Sequence, residues 1–216
     1  MDIARLPPEK ANQNLPESQK RRFEAIVNRI PESTSSFLDI GPVRPRLHRG
    51  ADLHAYLHEN TSVDDLIGID INRRGIELMQ EVGYTVKIAD AQDFNLDRKF
   101  EVIVAGGVLR QLPDMKGFFN SVEQHLVPGG KLILTNPNPE CVVWFRRALT
   151  GYPERNHASW QTPNNLEKAI TRSGVTLELE EYEYLRPIGG ISSVLYRLGR
   201  KRAGSPKYIA TVTSND

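Results

Sequence analysis

Two short apolar runs most strongly limit what this chain can fold into. The first runs from Ser36 to Gly41, and the second runs from Asp65 to Asp70. Short apolar runs without polar alternation are typical of strands buried on both faces of a parallel sheet. An open α/β sheet binds ligands beyond the carboxyl ends of its strands, where a glycine lets a ligand approach the backbone and an acid accepts hydrogen bonds from ribose hydroxyls. The runs therefore predict an α/β fold that binds a nucleoside-containing cofactor.

The spacing between the two runs differs from that of a dinucleotide-binding fold. Asp39 and Asp70 lie 31 positions apart, whereas about 20 residues separate the glycine loop from the acid in dinucleotide folds. Residues 42–50 contain two prolines and three arginines and are predicted to form a long loop. Because no Gly-x-Gly-x-x-Gly follows the first run, a nicotinamide-dependent oxidoreductase is the least favoured function.

Composition narrows the class of protein further. The 216 residues suit one domain with a substantial core, and a net charge of +1 gives no overall attraction to nucleic acid or to an anionic membrane. Cys141 is the single cysteine, which excludes an internal disulfide and fits a reducing compartment. No apolar run is long enough to span a membrane, and the polar N-terminal residues have no apolar core of the kind that a signal peptide needs. We expect a cytoplasmic protein with no membrane span, and no feature points to a particular oligomeric state.

Strand and helix patterns alternate along the chain, which predicts a parallel sheet with crossover helices. Residues 1–35 are predicted to form an arm and a helix, and residues 36–216 the main domain. The stretch 140–160 is predicted to be irregular, and 189–205 to be a solvated loop. The predicted strands are 37–40, 66–69, 84–88, 100–104, 131–135, 175–184 and 207–212, and the predicted helices include 19–30, 52–59 and one that begins at Thr162-Pro163.

Two histidines, His54 and His58, lie four apart on a predicted helix and would share one of its faces. Such a pair can bind a metal ion, but no third ligand is evident near it. We therefore predict no metal site, and we favour packing or a cofactor contact for these side chains.

The motifs that follow the strands occur in a recognisable order. Asp39-x-Gly41 and Asp70 are followed by Asp90-Ala91, by Ala105-Gly106 and by Pro128-Gly129-Gly130 before another strand. This ordered set resembles the class I S-adenosylmethionine-dependent methyltransferases. The resemblance implies a Rossmann-like three-layer sandwich with a mostly parallel seven-stranded sheet, in which the last strand is antiparallel and inserted between strands five and six. It also implies S-adenosylmethionine as the cofactor.

The resemblance also implies roles for individual residues. Asp39 and Gly41 would border the methionine moiety, Asp70 would accept hydrogen bonds from both ribose hydroxyls, and Ile71 would pack on the adenine. Asp90 would meet the adenine amino group while Ala91 supplies a backbone donor. Ala105 and Gly106 would line the cleft where cofactor and acceptor meet.

The loop after the first strand departs from the family pattern. Val43 and Pro45 stand where the family usually has glycines, so His58 or an arginine of the longer loop is predicted to reach the methionine carboxylate. The triplet Leu57-His58-Glu59 is similar to one in a branch of the family associated with glycan assembly.

Three functions are compatible with these observations. The favoured one is methyl transfer to a small-molecule or glycan-linked acceptor, with His157 as the candidate general base and His58 as a second candidate. The alternatives are a non-catalytic binding or scaffold protein of the same fold and the oxidoreductase. Nucleic acid is not expected as the acceptor, because 136–139 lacks the aromatic residue of the family's base-methylating signature and follows a different strand.

Overall fold

The computed structural model describes residues 12, 15–43, 52–63, 65–150 and 158–215. In this part of the chain seven strands form one sheet, with helices on both faces. The strands are β1 (Ser36–Ile40), β2 (Asp65–Asp70), β3 (Val86–Ile88), β4 (Phe100–Gly106), β5 (Leu126–Pro137), β6 (Leu177–Tyr184) and β7 (Lys207–Ser214). The helices are α1 (Glu17–Val27), α2 (Leu53–Asn60), α3 (Arg73–Glu81), α4 (Met115–His125), α5 (Val142–Leu149), α6 (Pro163–Ser173), α7 (Gly190–Arg197) and α8 (Lys201–Gly204), and a 3₁₀ turn spans Leu109–Gln111.

The strand order is β3-β2-β1-β4-β5-β7-β6. The pairs among β1 to β5 are parallel, whereas β7 pairs antiparallel with both β5 and β6. The last strand therefore lies between the fifth and sixth, as expected. The predicted α/β, Rossmann-like fold with a mostly parallel sheet is confirmed.

Alternation along β1 explains the three layers. Phe37 packs with Phe23 of α1 on one face of the sheet. Leu38 and Ile40 pack with Phe118 of α4 on the other face. Successive side chains of a strand point to opposite faces, so a strand with apolar side chains on both faces must be covered on both sides.

Local capping sets where several helices begin. The Asp52 carboxylate accepts a hydrogen bond from the Ala55 amide at the start of α2, and Asn72 accepts one from the Gly75 amide at the start of α3. Thr162 caps α6 in the same way. These side chains satisfy amides that have no partner inside the helix.

Two regions differ from the prediction made for them. The stretch 140–160 was predicted to be irregular but contains α5, and 189–205 was predicted to be a loop but contains α7 and α8. The loop prediction was wrong because the glycines and arginines of this segment obscured the helical spacing of Ile191, Val194 and Leu198. The third strand begins at Val86 and not at residue 84, because the Tyr84 side chain packs with Ile76 of α3.

Within the described residues, no helix is long and apolar enough to cross a membrane. The same part of the chain has no group of three or more His, Cys, Asp or Glu side chains placed to hold a metal ion.

Candidate active site

A cleft of about 610 Å³ opens at the carboxyl ends of the central strands. Small-molecule sites usually have volumes of about 300–1,000 Å³. The walls come from the ends of β1, β2, β4 and β5, from α1, and from the start of β7. The site therefore lies at the edge of the sheet that the sequence predicted.

Asp70, at the tip of β2, is held in place by two backbone amides. The Val43 amide donates to Oδ2 at 3.0 Å, and the Asn72 amide donates to Oδ1 at 2.9 Å. Burial raises the pKa of this carboxyl group, and the two amides act in the opposite direction. Each carboxylate oxygen has a further lone pair, so the fixed carboxylate of Asp70 has the chemistry to accept hydrogen bonds from a pair of hydroxyls.

Three more of the predicted residues line the same part of the cleft. Ile71 leaves 70% of its surface exposed, although it is a large apolar side chain. Asp90 accepts a hydrogen bond from the Gln92 amide at 2.9 Å, and Ala91 lies beside it in the wall. An exposed aliphatic face beside an acid and a backbone segment is suited to a flat heteroaromatic ring that carries an amino group.

Glycines form the floor of the cleft between β1 and β4. Gly41 has φ +79°, and a Cβ at this position would lie 2.5 Å from Cγ2 of Val108. A Cβ on Gly106 would lie 2.5 Å from Cδ2 of Leu53. A side chain at Gly41 would collide with Val108 and one at Gly106 with the buried Leu53, so both positions require glycine for close packing. Ala105 is fully buried in the core, and the structure does not bring it to the cleft surface.

Asp39 lies behind the cleft wall and does not line it. The side chain is 1% exposed, and Oδ2 lies 3.1 Å from Nδ1 of the equally buried His54. His54 also packs edge-on against the Tyr84 ring at 5.1 Å. Asp39 therefore joins β1 to α2, and the pairing with His54 was not predicted from the sequence.

The structure does not bring His58 together with the other predicted residues. His58 is exposed on α2, with its ring 6.1 Å from that of Tyr84, and it does not line the cleft. His157 lies outside the described residues. Ala158, the next residue in sequence, donates its amide to the Arg110 carbonyl at 2.7 Å, and Arg110 is part of the cleft wall.

The other end of the cleft carries polar groups that the sequence analysis missed. Gln19 Oε1, Thr135 Oγ1 and Asn136 Oδ1 are buried atoms that have no hydrogen-bond partner among the described residues. All three residues line the cleft. A buried polar atom without a partner is costly, so three at one site point to a ligand that supplies the missing bonds.

The orientation of the Asn136 amide is fixed by its neighbours. Nδ2 lies 3.4 Å from the Gln161 carbonyl, which can only accept, and 3.4 Å from the Tyr208 hydroxyl. Tyr208 itself donates to the same carbonyl at 3.0 Å. The Asn136 amide nitrogen is therefore directed to Gln161, which leaves Oδ1 as the unused acceptor.

Positive charge is concentrated at this end of the cleft. Arg22, Arg110 and Lys207 contribute to its lining, whereas the acids Asp70 and Asp90 lie at the other end. Arg22 reaches the tip of β4, since its Nη1 lies 3.8 Å from where a Cβ on Gly107 would stand.

Comparison with known proteins identifies the family to which this chain belongs. A sequence profile described as a methyltransferase domain matches residues 15–180. The chain belongs to this methyltransferase family. It is a methyltransferase whose cofactor is S-adenosylmethionine, so the predicted family and cofactor are confirmed. No curated protein sequence matches the chain.

Solved structures of this fold extend over almost the whole methyltransferase chain. An S-adenosylmethionine-dependent methyltransferase from Mesorhizobium loti is 17% identical, with a TM-score of 0.62 over 91% of this chain and 97% of the other. The N-methyltransferase NodS from Bradyrhizobium japonicum, in complex with S-adenosylhomocysteine, is 18% identical with a TM-score of 0.61, over 100% and 95%. A possible histamine N-methyltransferase from Thermotoga maritima is 14% identical with a TM-score of 0.63, over 92% and 89%.

Proposed function

We propose that this methyltransferase transfers the methyl group of S-adenosylmethionine to a hydroxyl or amine of a small-molecule or glycan-linked acceptor. The observation that carries the proposal is the set of three unsatisfied oxygens, from Gln19, Thr135 and Asn136, in the cleft that also contains Asp70 and Asp90.

In this proposal the end of the cleft near β2 holds the nucleoside part of the cofactor. Asp70 accepts the ribose hydroxyls, Ile71 covers the adenine, and Asp90 with the Ala91 amide meets the adenine edge. Gly41 and Gly106 leave room for the sulfonium end. Asp39 acts indirectly, because it fixes α2 through His54. Bound in this way, S-adenosylmethionine supplies an electrophilic methyl group.

The end of the cleft near β5 holds the acceptor. The amide oxygens of Gln19 and Asn136 only accept hydrogen bonds, so they match a group that donates, such as a hydroxyl or an amine. Arg22, Arg110 and Lys207 disfavour a cationic acceptor and favour a neutral or acidic one. Several hydroxyls on a neutral or acidic framework are characteristic of a sugar, which supports the glycan-linked class.

Methyl transfer is an in-line displacement that depends mainly on holding donor and acceptor in the right geometry. Positioning of this kind supplies about 7–11 kcal/mol of barrier reduction. Asn136 is proposed as an acceptor-positioning residue, since its amide is fixed by Gln161 and Tyr208. We propose His157 as the general base for a hydroxyl acceptor.

Calorimetric titration with S-adenosylmethionine and S-adenosylhomocysteine tests the cofactor site. Hydrogen bonds to charged groups contribute about 1.5–3 kcal/mol each, so the loss of both ribose contacts in Asp70→Ala is expected to weaken binding by about a hundredfold to ten-thousandfold. Asp93→Ala, which removes an exposed acid that does not line the cleft, is the matched control. Equal affinity in the Asp70 and Asp93 variants would contradict the assignment.

Transfer of labelled methyl groups to panels of neutral sugars, uronic acids and amines tests the acceptor. We expect Asn136→Ala to lower kcat/KM for the preferred acceptor about tenfold or more while cofactor affinity is retained. Asn164→Ala, on the exposed start of α6, is the control. Tight cofactor binding with no transfer to any of these acceptors would contradict the proposed acceptor class.

A further inference from the structure

Helix α7 has an apolar face that the described part of the chain leaves uncovered. Ile191, Val194 and Leu198 are 59%, 55% and 70% exposed, and Ile188 just before the helix is 51% exposed. Positions three and seven residues apart lie on one side of a helix. Only Ser192 of α7 is buried, so this side cannot be explained by packing against the sheet. We call these four residues the α7 surface.

Basic residues flank the α7 surface, and no acid interrupts them. Residues 186–202 contain Arg186, Arg197, Arg200, Lys201 and Arg202 but no Asp or Glu. This local excess contrasts with a net charge of +1 for the whole chain. Arg202 is paired with Glu140, whereas Arg197, Arg200 and Lys201 are exposed.

The acids nearest in sequence are themselves paired. Glu181 and Glu183 of β6, which precedes α7, both bind Arg29 of α1 at 3.1 Å and 2.9 Å. Their negative charge is therefore partly neutralised, and the basic character of the segment is retained.

We propose that the α7 surface docks on the surface of an anionic lipid bilayer. A short helix with an aliphatic face and flanking basic side chains has the composition of a helix that lies in the membrane interface. The aliphatic side chains enter the boundary of the acyl chains, and the basic ones meet anionic headgroups. Docking in the membrane interface needs no membrane-spanning helix. It explains both the exposed apolar face of α7 and the local excess of positive charge.

Neighbouring elements enlarge the proposed docking surface. The α5 helix adds two further exposed apolar side chains, Phe145 and Leu149, and its start lies against α7 through the 3.8 Å contact between Cys141 and Ser192. Asn138, two residues beyond the acceptor-positioning Asn136, donates to the Arg202 and Ser205 carbonyls. The docking surface is thus connected to the acceptor end of the cleft, a consequence that rests on the proposed function, whereas docking itself does not.

Vesicle flotation with the full chain tests the proposal. Vesicles of phosphatidylcholine alone are compared with equimolar phosphatidylcholine and phosphatidylglycerol, first at low salt and then at roughly 1 M salt, where charges are screened beyond about 3 Å. We expect binding to the anionic vesicles to exceed binding to the neutral ones about tenfold or more. We also expect high salt to remove most of the difference.

Two variants separate the apolar from the ionic contribution. The triple variant Ile191→Ser, Val194→Ser and Leu198→Ser is expected to lower the partition coefficient on anionic vesicles about tenfold or more. Arg200→Gln with Lys201→Gln is expected to reduce the preference for anionic vesicles and the dependence on salt. Ile88→Ser, which removes an exposed isoleucine from β3, is the matched control and is expected to bind like the wild type.

Two results would overturn the proposal. One is equally weak retention of the wild type on both kinds of vesicle. The other is a dimer in light scattering that dissociates in the triple variant, which would assign the α7 surface to a second copy of the chain. Circular dichroism of each variant establishes that a loss of binding does not come from a loss of folding.

Discussion

At the scale of single residues, Asp70 combines burial with the role proposed for it in binding ribose, which requires a charged carboxylate. Burial raises the pKa of its carboxyl group above the usual range near 4, and the amides of Asn72 and Val43 offset part of this effect. Ribose hydroxyls bind the ionised form more strongly than the neutral one. As the pH falls, Asp70 is therefore protonated earlier than an ordinary aspartate, and in the proposed role this weakens cofactor binding.

We predict that affinity for S-adenosylhomocysteine falls as the pH is lowered through the raised pKa of Asp70, and that it is restored as the pH rises again. The dissociation constant measured by titration from neutral to mildly acidic pH checks this. Asp70→Ala should bind weakly with little dependence on pH over the same interval. A wild-type affinity that stays constant down to pH of about 4 would show that Asp70 does not hold the ribose.

Gly41 provides a second prediction at this scale. A side chain here meets both a left-handed backbone, with φ +79°, and Cγ2 of Val108 at 2.5 Å. The backbone strain costs about 1–2 kcal/mol, and overpacking costs typically about 1–3 kcal/mol more. We expect Gly41→Ala to lower the free energy of unfolding by about 2–5 kcal/mol and to reduce cofactor affinity.

Gly129 is the matched control for this substitution. It has φ +71° but nothing within 4 Å of an added Cβ, so Gly129→Ala carries only the backbone strain. Urea unfolding of both variants separates the two contributions. Equal losses of stability would mean that contact with Val108 is unimportant.

The predicted site residues that line the cleft share one property. Asp70, Ile71, Asp90 and Gly106 follow directly from strand ends, and the polarity pattern of buried strands reveals where those ends are. Ala105 does not line the cleft although its neighbour Gly106 does, because successive residues of a strand point to opposite faces of the sheet.

At the scale of elements, the Asp39–His54 contact links β1 to α2. Removal of the imidazole would leave a carboxylate that is 1% exposed without this partner. An unsatisfied buried group of this kind costs about 1–3 kcal/mol or more. We predict that His54→Leu lowers the free energy of unfolding by about that amount, and that Asp39→Leu combined with His54→Leu loses less than the sum of the single variants.

Urea unfolding of the complete cycle measures this coupling, which is expected to be about 0.5–3 kcal/mol. His58→Leu is the matched control on the same helix, because His58 is exposed and its replacement should stay within about 0.5 kcal/mol. Strict additivity would show that Asp39 and His54 stabilise the fold independently of each other.

Helices and strands were easier to predict from the sequence where their apolar side chains are buried. The apolar run of β1 and the capped start of α6 appear in the local sequence, because burial and capping both select particular residue types. Helix α7 does not, because its apolar side chains face outward between glycines and arginines. The pairing of Asp39 with His54 depends on a contact between two elements, which local pattern does not encode.

At the scale of the whole molecule, α1 contributes to both the core and the cleft. Phe23 and Ile26 are fully buried in the same cluster as Phe37 of β1, while Gln19 and Arg22 line the cleft. A domain boundary after residue 35 would place Phe23 in a different domain from the other residues of this cluster. The packing therefore favours a single cooperative unit that includes α1.

We predict that Phe23→Ala lowers the free energy of unfolding by about 3–5 kcal/mol, the usual cost of truncating a buried phenylalanine to alanine. The loss should appear equally in circular dichroism and in the fluorescence of Trp144 and Trp160, whose rings lie 4.9 Å apart in a part of the chain distant in sequence from α1. Coincident transitions are the mark of one unfolding unit. Phe145→Ala, on the exposed side of α5, should change stability by about 0.5 kcal/mol or less. If α1 were a separate arm, Phe23→Ala would leave the tryptophan transition where it is in the wild type. Undocking of such an arm would remove Gln19 and Arg22 from the cleft but leave its β-strand residues in place.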